Sequence, residues 1–304
     1  MLKFYQFAAA AAAAVCLLFC GCGSVPKPIV VGSQSSTAQI VAGEIVAQHL
    51  ENRLARKIER RLNAGGEQLV YQALLTGDIS MYPTFTGAIE TMILREEPAY
   101  WLTSDSDQVW ERSHGEMSRL VKMELLRPLG YDNPPSMVIQ TAGVEGSKGE
   151  VPKVATLSQA AAETFRWKIG VSYEFQQRLD GIPAISRYKL PMAQAIRSMN
   201  AEQLFPSLQK GDVTMIAADS TDAHLTSADY RILADDKHAF PPYQACLLVR
   251  QDLLGAEPRL RASLLELSGK FTTEAMRKMS AEVDLEHRQP AEVAADFLAR
   301  AGLK

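Results

Sequence analysis

Side chains capable of acid–base, nucleophilic or metal chemistry occur in this chain, but they are not grouped for it. The five histidines are His49, His114, His224, His238 and His287. None stands in an H-E-x-x-H pattern or beside a paired C-x-x-C, spacings that aim two ligands at one zinc ion. Ser220, Asp222 and His224 fall within five residues of one another. A nucleophilic triad draws its members from converging elements, and the chain has no G-x-S-x-G elbow. Catalysis is therefore not expected, and no cofactor is implied. The hydroxyls of Ser33, Thr86, Ser220 and Thr221 suggest a different chemistry. Each sits in a turn at the end of an apolar run, where hydroxyls and backbone amides can hold a bound molecule.

Those turns recur in a pattern of strand, turn and helix. Ile29-Val30-Val31-Gly32-Ser33 predicts a strand and tight turn, and Ile40, Ile45, Val46, Leu50 and Leu54 have helical spacing. Arg56 to Leu62 reads as a basic strand near an edge. Asn63-Ala64-Gly65-Gly66-Glu67 turns into a helix from about Gln68 to Leu75, and Ile79 to Tyr82 is a third strand. Pro83 to Gly87 reads as another turn. Further on, a helix is expected over Gln108 to Leu126, with strands over Met137 to Thr141, Lys168 to Val171, Val213 to Ala217 and Tyr243 to Val249. Two or three amphipathic helices close the chain from Arg259. Repeated strand–turn–helix units argue for α/β architecture with parallel sheets, and ligands in such sheets sit beyond the carboxyl ends of the strands.

The 304 residues are 47 % hydrophobic and 22 % charged, with net charge -3. This is globular composition without a basic stripe, so nucleic acid is not an expected partner. The one long apolar run, Phe7 to Phe19, follows Lys3 and leads to Phe19-Cys20-Gly21-Cys22. These are the parts of a signal peptide, and the last four residues resemble a bacterial lipoprotein cleavage box, with Phe19 bulkier than the usual aliphatic residue. The expectation is a leader over 1–21, lipidation of Cys22 and a tether over 22–28. A non-lipidated secretory signal or an anchoring helix is the alternative. Cys246 is then without a disulfide partner, a buried thiol in an apolar run.

Several motifs together resemble a known family. Gly32-Ser33-Gln34-Ser35-Ser36-Thr37-Ala38-Gln39 is similar to the GS-K-N-F-T-E-Q opening of the osmoprotectant-type substrate-binding proteins of ABC importers, the glycine betaine, choline and carnitine receptors. Asn63-Ala64-Gly65-Gly66 resembles their N-L-G-G turn, and Tyr82-Pro83-Thr84-Phe85-Thr86-Gly87 their Y-P-E-Y-T-G. Glu174-Phe175 with Arg178 and Asp180-Gly181 resembles E-F-x-x-R-x-D-G. Asp219-Ser220-Thr221-Asp222 resembles the S-T-D turn, and Asp235 to His238 with Phe240 to Tyr243 the D-D-K-H-x-F-P-P-Y segment. The order and spacing hold over roughly residues 29–300.

The resemblance implies a type II periplasmic binding protein: two parallel-sheet lobes joined by two crossing strands and closing on a solute. Lobe one would take 29–138 with 243–304, and lobe two 139–242. The crossing strands would lie near Met137 to Thr141 and near Tyr243 to Leu248. The implied partners are an ABC permease and ATPase, a small solute, and the membrane through the N-terminal lipid, with the protein acting as a monomer outside the cytoplasm. A ligand-sensing or scaffold lipoprotein that kept the fold but lost its importer is the alternative.

The family cages a quaternary ammonium in aromatic faces. Carried over position by position, the cage aromatics fall on Phe85, on Pro135 beside Asn133, on Phe205, and on Asp219 in place of Tyr or Asn. The Thr expected to meet a ligand carboxylate becomes Glu67. Tyr173 is a candidate to replace a lost wall. Two new carboxylates, Glu67 and Asp219, favour a cationic solute, an amine or quaternary ammonium, with no anionic end near Glu67. Both acids also sit at predicted helix N-termini, where capping alone would suit them. Arg178 and Asp180 read as a structural pair.

Overall fold

The computed structural model describes residues 28–96, 98–141 and 151–304. The leader, Cys22 and the tether up to Lys27 lie outside the described residues. The chain forms two five-stranded sheets. The first has the order β2-β1-β3-β10-β4, from β1 (Val30–Gly32), β2 (Glu59–Arg61), β3 (Met81–Phe85), β4 (Met123–Leu125) and β10 (Ala245–Arg250). The second has the order β7-β6-β8-β5-β9, from β5 (Pro135–Gln140), β6 (Ile169–Ser172), β7 (Arg197–Met199), β8 (Met215–Asp219) and β9 (Tyr230–Leu233).

Sequence patterning explains the strand positions. All of β1 is buried, as an apolar strand covered on both faces must be. β2, Glu-Arg-Arg, is exposed at both ends and forms the edge. The helix Thr37–Leu54 packs against the sheet, and the C-terminal helices Thr273–Asp284 and Pro290–Arg300 pack on it in turn. One apolar core, including Ile45, Leu50, Leu247, Phe271, Met276 and Leu298, joins them. The second sheet has its own cores, around Trp167, Ile169 and Met215 on one face and Val138, Leu208 and Ile216 on the other. Among the described residues no helix is long and apolar enough to cross a membrane.

The sheets are mixed rather than parallel. β10 runs antiparallel to β3 and β4, and β5 runs antiparallel to β8 and β9. These two strands are the ones on which the chain arrives directly from the opposite sheet. No helical crossover reverses the chain there, and parallel pairing requires one. The passages run side by side, with Asn133 N donating to Tyr243 O at 3.0 Å and Ala245 N to Tyr131 O at 2.9 Å. Pro135 to Val138 already pair with β8, so the change of sheet falls just before Pro135, not after Val138.

Two other local expectations are corrected. Pro83 to Phe85 continue a fully buried strand instead of turning. β1 pairs with β3 at Met81 alone, so the edge of β3 beyond it is free to carry a residue without an N–H. The helix expected to reach Leu126 ends at Val121; Lys122 takes a left-handed backbone and Met123–Leu125 becomes β4. A short run such as Met-Glu-Leu fits either period, and pairing with β10 decides it.

Candidate functional site

A cleft of about 800 Å³ lies where the two sheets face each other. The loop after β1, the turn before Glu67, the end of β3, the segment before β5, the turn after β6 and the end of β8 all reach it. Of the expected site residues, Glu67, Phe85, Asn133, Phe205, Asp219 and Thr221 line it.

Glu67 opens the helix Glu67–Thr76 behind Gly66, whose backbone is extended and which offers no capping side chain. The carboxylate does not serve as a cap. Its Oε1 accepts from the Tyr82 hydroxyl at 2.6 Å and the Thr84 hydroxyl at 2.9 Å, and its Oε2 accepts from Gln34 Nε2 at 2.5 Å. The residue is 1 % exposed. Burial lifts its pKa to about 7; the bonds from Tyr82 and Thr84 pull down, and the charge of Glu174 across the cleft pushes up.

Asp219 contrasts with it. It ends β8 in register with Pro135, and it is exposed within the cleft. Protein crowding from both sides of the cleft raises its pKa to about 6; Arg178 opposes this, while Asp222 and Glu174 add to it. It caps no helix. That role belongs to Asp222, which accepts from His224 N at 2.9 Å. Asp222 also accepts from the His224 ring at 2.9 Å, and this bond raises the His224 pKa.

Phe205 is stacked on His224, with ring centroids 4.2 Å apart and planes 12° from parallel, so one face of the expected wall is covered by imidazole. Phe85 meets Tyr131 edge-on at 6.1 Å and Tyr243 at 6.1 Å, and it belongs to core and cleft alike. Asn133 Oδ1 accepts from Thr221 N at 3.0 Å, Thr221 Oγ1 at 2.9 Å and Ser220 Oγ at 3.2 Å, pinning the passage between sheets to the end of β8.

Four expected contacts lie elsewhere. Ser33 is buried, its hydroxyl donating to Gln34 O and accepting from Asn63 N, so it closes a turn instead of facing the cleft. Thr86 donates to Pro242 O at 3.0 Å and accepts from Gln244 N at 3.1 Å, a staple on the second passage. Ser220 donates to Asp132 O, and its own carbonyl accepts two bonds from Arg277. Tyr173 is 56 % exposed and outside the cleft, because helix Tyr173–Gln177 turns its first side chain outward. Cys22 lies outside the described residues.

Sequence reasoning missed Gln34, Glu174, His224 and Tyr243 as cleft residues and saw Arg178 only as half of a pair. Arg178 does hold Asp180 through two bonds, at 3.0 and 2.8 Å, and the Tyr243 hydroxyl bonds to both. Gly87 makes room for the Tyr243 ring, where any Cβ would collide. The motif spacing contained Arg178 and Tyr243, but only the packing aims them at the same space. Among the described residues no His, Cys, Asp and Glu cluster is grouped to hold a metal ion. Six carboxylates line the cleft: Glu67, Glu174, Glu202, Asp219, Asp222 and Asp284. Arg178 and His224 are the basic residues among them. Such an arrangement can hold a cation without covalent chemistry.

Residues 27–300 match the model of the substrate-binding domain of ABC-type glycine betaine transport systems. An ergothioneine transport permease/ergothioneine binding protein, EgtU of Helicobacter pylori, is 27 % identical over 91 % of this chain, which spans 48 % of that protein's length. The carnitine transport binding protein OpuCC of Listeria monocytogenes is 26 % identical over 91 % of this chain and 87 % of its own. The crystal structure of a glycine betaine/carnitine/choline ABC transporter protein superposes with a TM-score of 0.76 at 22 % identity, covering 90 % of this chain and 99 % of that one. The apo structure of Escherichia coli YehZ gives 0.69 at 22 % identity over 91 % of this chain and 100 % of its own. These structures share the two-lobed fold of type II periplasmic binding proteins. With nine-tenths of its length matched, the chain belongs to the family of substrate-binding domains of ABC-type glycine betaine transport systems.

Proposed function

We propose that this protein captures a small cationic solute, a quaternary ammonium or an amine, between its lobes and passes it to an ABC permease and ATPase. The observation that carries this is the charge of the cleft. Five carboxylates, Glu174, Glu202, Asp219, Asp222 and Asp284, face it besides the buried, hydrogen-bonded Glu67, while Arg178 is already neutralised by Asp180. Asp219, open to the cleft, is the direct partner of the cation, with Phe85, Phe205 and Tyr243 supplying ring surface and Asn133 and Thr221 polar contacts. The ligands in the relatives' names support the reading, since ergothioneine, carnitine and glycine betaine each carry a trimethylammonium group. Bending at the two passages, stapled by Thr86 and Asn133, closes residues 29–134 with 243–304 onto 135–242. Lipid on Cys22 holds the protein at the outer face of the cytoplasmic membrane.

The test is calorimetric titration of the protein from Ser24 onward with glycine betaine, choline, carnitine, ergothioneine, primary amines and polyamines. Binding by a cation and none by anionic or uncharged analogues is expected; the reverse preference would sink the proposal. For the anchor, Cys22→Ser should move the protein from the detergent phase to the aqueous phase in a Triton X-114 partition.

A further inference from the structure

Glu67 was expected to touch the solute, yet its oxygens are engaged inside the protein. Tyr82 and Thr84 donate to it from β3, and Gln34 donates to it from the loop after β1. When ionised, the Glu67 carboxylate only accepts hydrogen bonds, so in that state the group 2.5 Å from Oε2 is the NH2 of Gln34. The Gln34 carbonyl oxygen is then turned away from Glu67. Among the described residues no protein donor reaches that oxygen, and Gln34 lines the cleft, half-buried. Ala64 N donates to Ser33 O, Ser35 N to Gly65 O and Asn63 N to Ser33 Oγ, tying the backbone of residues 33–35 to the turn that leads into Glu67.

We propose that Glu67 is a positioning residue that orients the Gln34 amide with its carbonyl oxygen toward the solute, so the cleft favours a solute whose end at Gln34 donates a hydrogen bond. A hydroxyl, ammonium or ring N–H meets that oxygen; a carboxylate is repelled by it and by the charge of Glu67 behind it. The proposal rests on the cleft being a cation site and adds which end of the cation it selects.

The charge on Glu67 carries the orientation. Once protonated, Glu67 can donate to the Gln34 oxygen, and the amide turns round. Burial places that change at about pH 7; the groups facing Glu67 are Tyr71, Tyr82, Glu174 and Arg178. Asp219 titrates lower and acts on the cationic head, so it alters two solutes with the same head alike.

Choline and glycine betaine share a trimethylammonium head and end in a hydroxyl and a carboxylate. Wild type is expected to bind choline about tenfold more tightly than glycine betaine at pH 8, with the preference shrinking at pH 6, as for one hydrogen bond gained or lost. Glu67→Gln should move the ratio toward glycine betaine by about tenfold, since an amide at 67 can donate to Gln34. Gln34→Leu should bring the ratio close to one. An unchanged ratio in a folded Glu67→Gln protein, or in Gln34→Leu should the first variant fail to fold, overturns the proposal. If neither solute binds wild type, the cation reading is decided by the amines and the other cations of the titration, and the orientation is read from the Gln34 side-chain NH2 by 15N NMR. Resonances that move near pH 7 in wild type and not in Glu67→Gln support it. Resonances indifferent to both overturn it.

Discussion

The two walls of the cleft use the same chemical group in opposite ways. On the wall of the first sheet, Glu67 is sealed beneath Gln34 and bonded to Tyr82 and Thr84. On the wall of the second sheet, Asp219 stands exposed at the end of β8. Both acids have raised pKa values, and in both protein surroundings are the first cause. The difference is in what their oxygens are free to do. A buried acid whose lone pairs are taken orders its neighbours and affects stability; an acid open to the cleft affects affinity. At the bottom of the cleft the Arg178–Asp180–Tyr243 set is closed like the first wall, although Arg178 and Asp180 belong to the second.

The largest effect should fall on that closed set. Asp180→Ala leaves the Arg178 guanidinium and the Tyr243 hydroxyl buried without their shared acceptor, and a loss of about 3–5 kcal/mol is expected in urea unfolding. A loss well below this would break the division between closed and open groups. Next is the pH dependence of Glu67. Its folded pKa of about 7 stands above the ordinary 4.5, so the folded state holds the proton more tightly. That stability is fully present below pH 4.5 and is lost as pH rises through 7. Between those limits wild type should lose about 3 kcal/mol relative to Glu67→Gln. Parallel profiles for the two proteins would place Glu67 among the open groups.

Asp219→Asn should behave in the opposite manner. Without the carboxylate, affinity for a cationic solute should drop about tenfold or more, the worth of a charged hydrogen bond, while the folded state loses no stability. Wild-type affinity for a permanent cation should rise as pH passes upward through about 6, where Asp219 ionises. A stability loss with unchanged affinity would make Asp219 a structural group. The smallest effect is expected at Tyr173, which is exposed and off the cleft; Tyr173→Ala should leave affinity within about twofold and stability unmoved. Any larger change would show that lobe closure brings it inward.

Much of the fold was legible because it rests on local pattern. The buried β-branched run of β1 and the 3.6-residue spacing in Thr37–Leu54 predict their elements directly. Pro83 misled because a proline signals a turn unless the strand has a free edge, and that edge exists only once β1 and β3 pair at a single residue. Antiparallel β5 and β10 could not be foreseen from strand–turn–helix rhythm, since their direction follows from the direct passages between sheets. In the site, the family resemblance pointed to Glu67, Phe85, Asn133, Phe205 and Asp219 and the turn pattern to Thr221, all of which line the cleft; both missed Gln34 and His224, whose roles come from partners far along the chain.

Sequence alone determined the α/β class and the acidity of the turns at the strand ends, because these depend on residue type and near-neighbour spacing, and its motifs carried the family resemblance that implied two lobes. Which hydroxyl faces the cleft and which closes a turn, as Thr221 and Ser33 do, was left to the tertiary structure. The same holds for the two acids. Glu67 and Asp219 are alike as residues, and only the donors that folding gathers around one of them, from β3 and from the loop after β1, make it a support while the other remains open to solute. Hydrogen bonds act over about 3 Å, and partners that close are chosen by packing between distant segments rather than by sequence proximity.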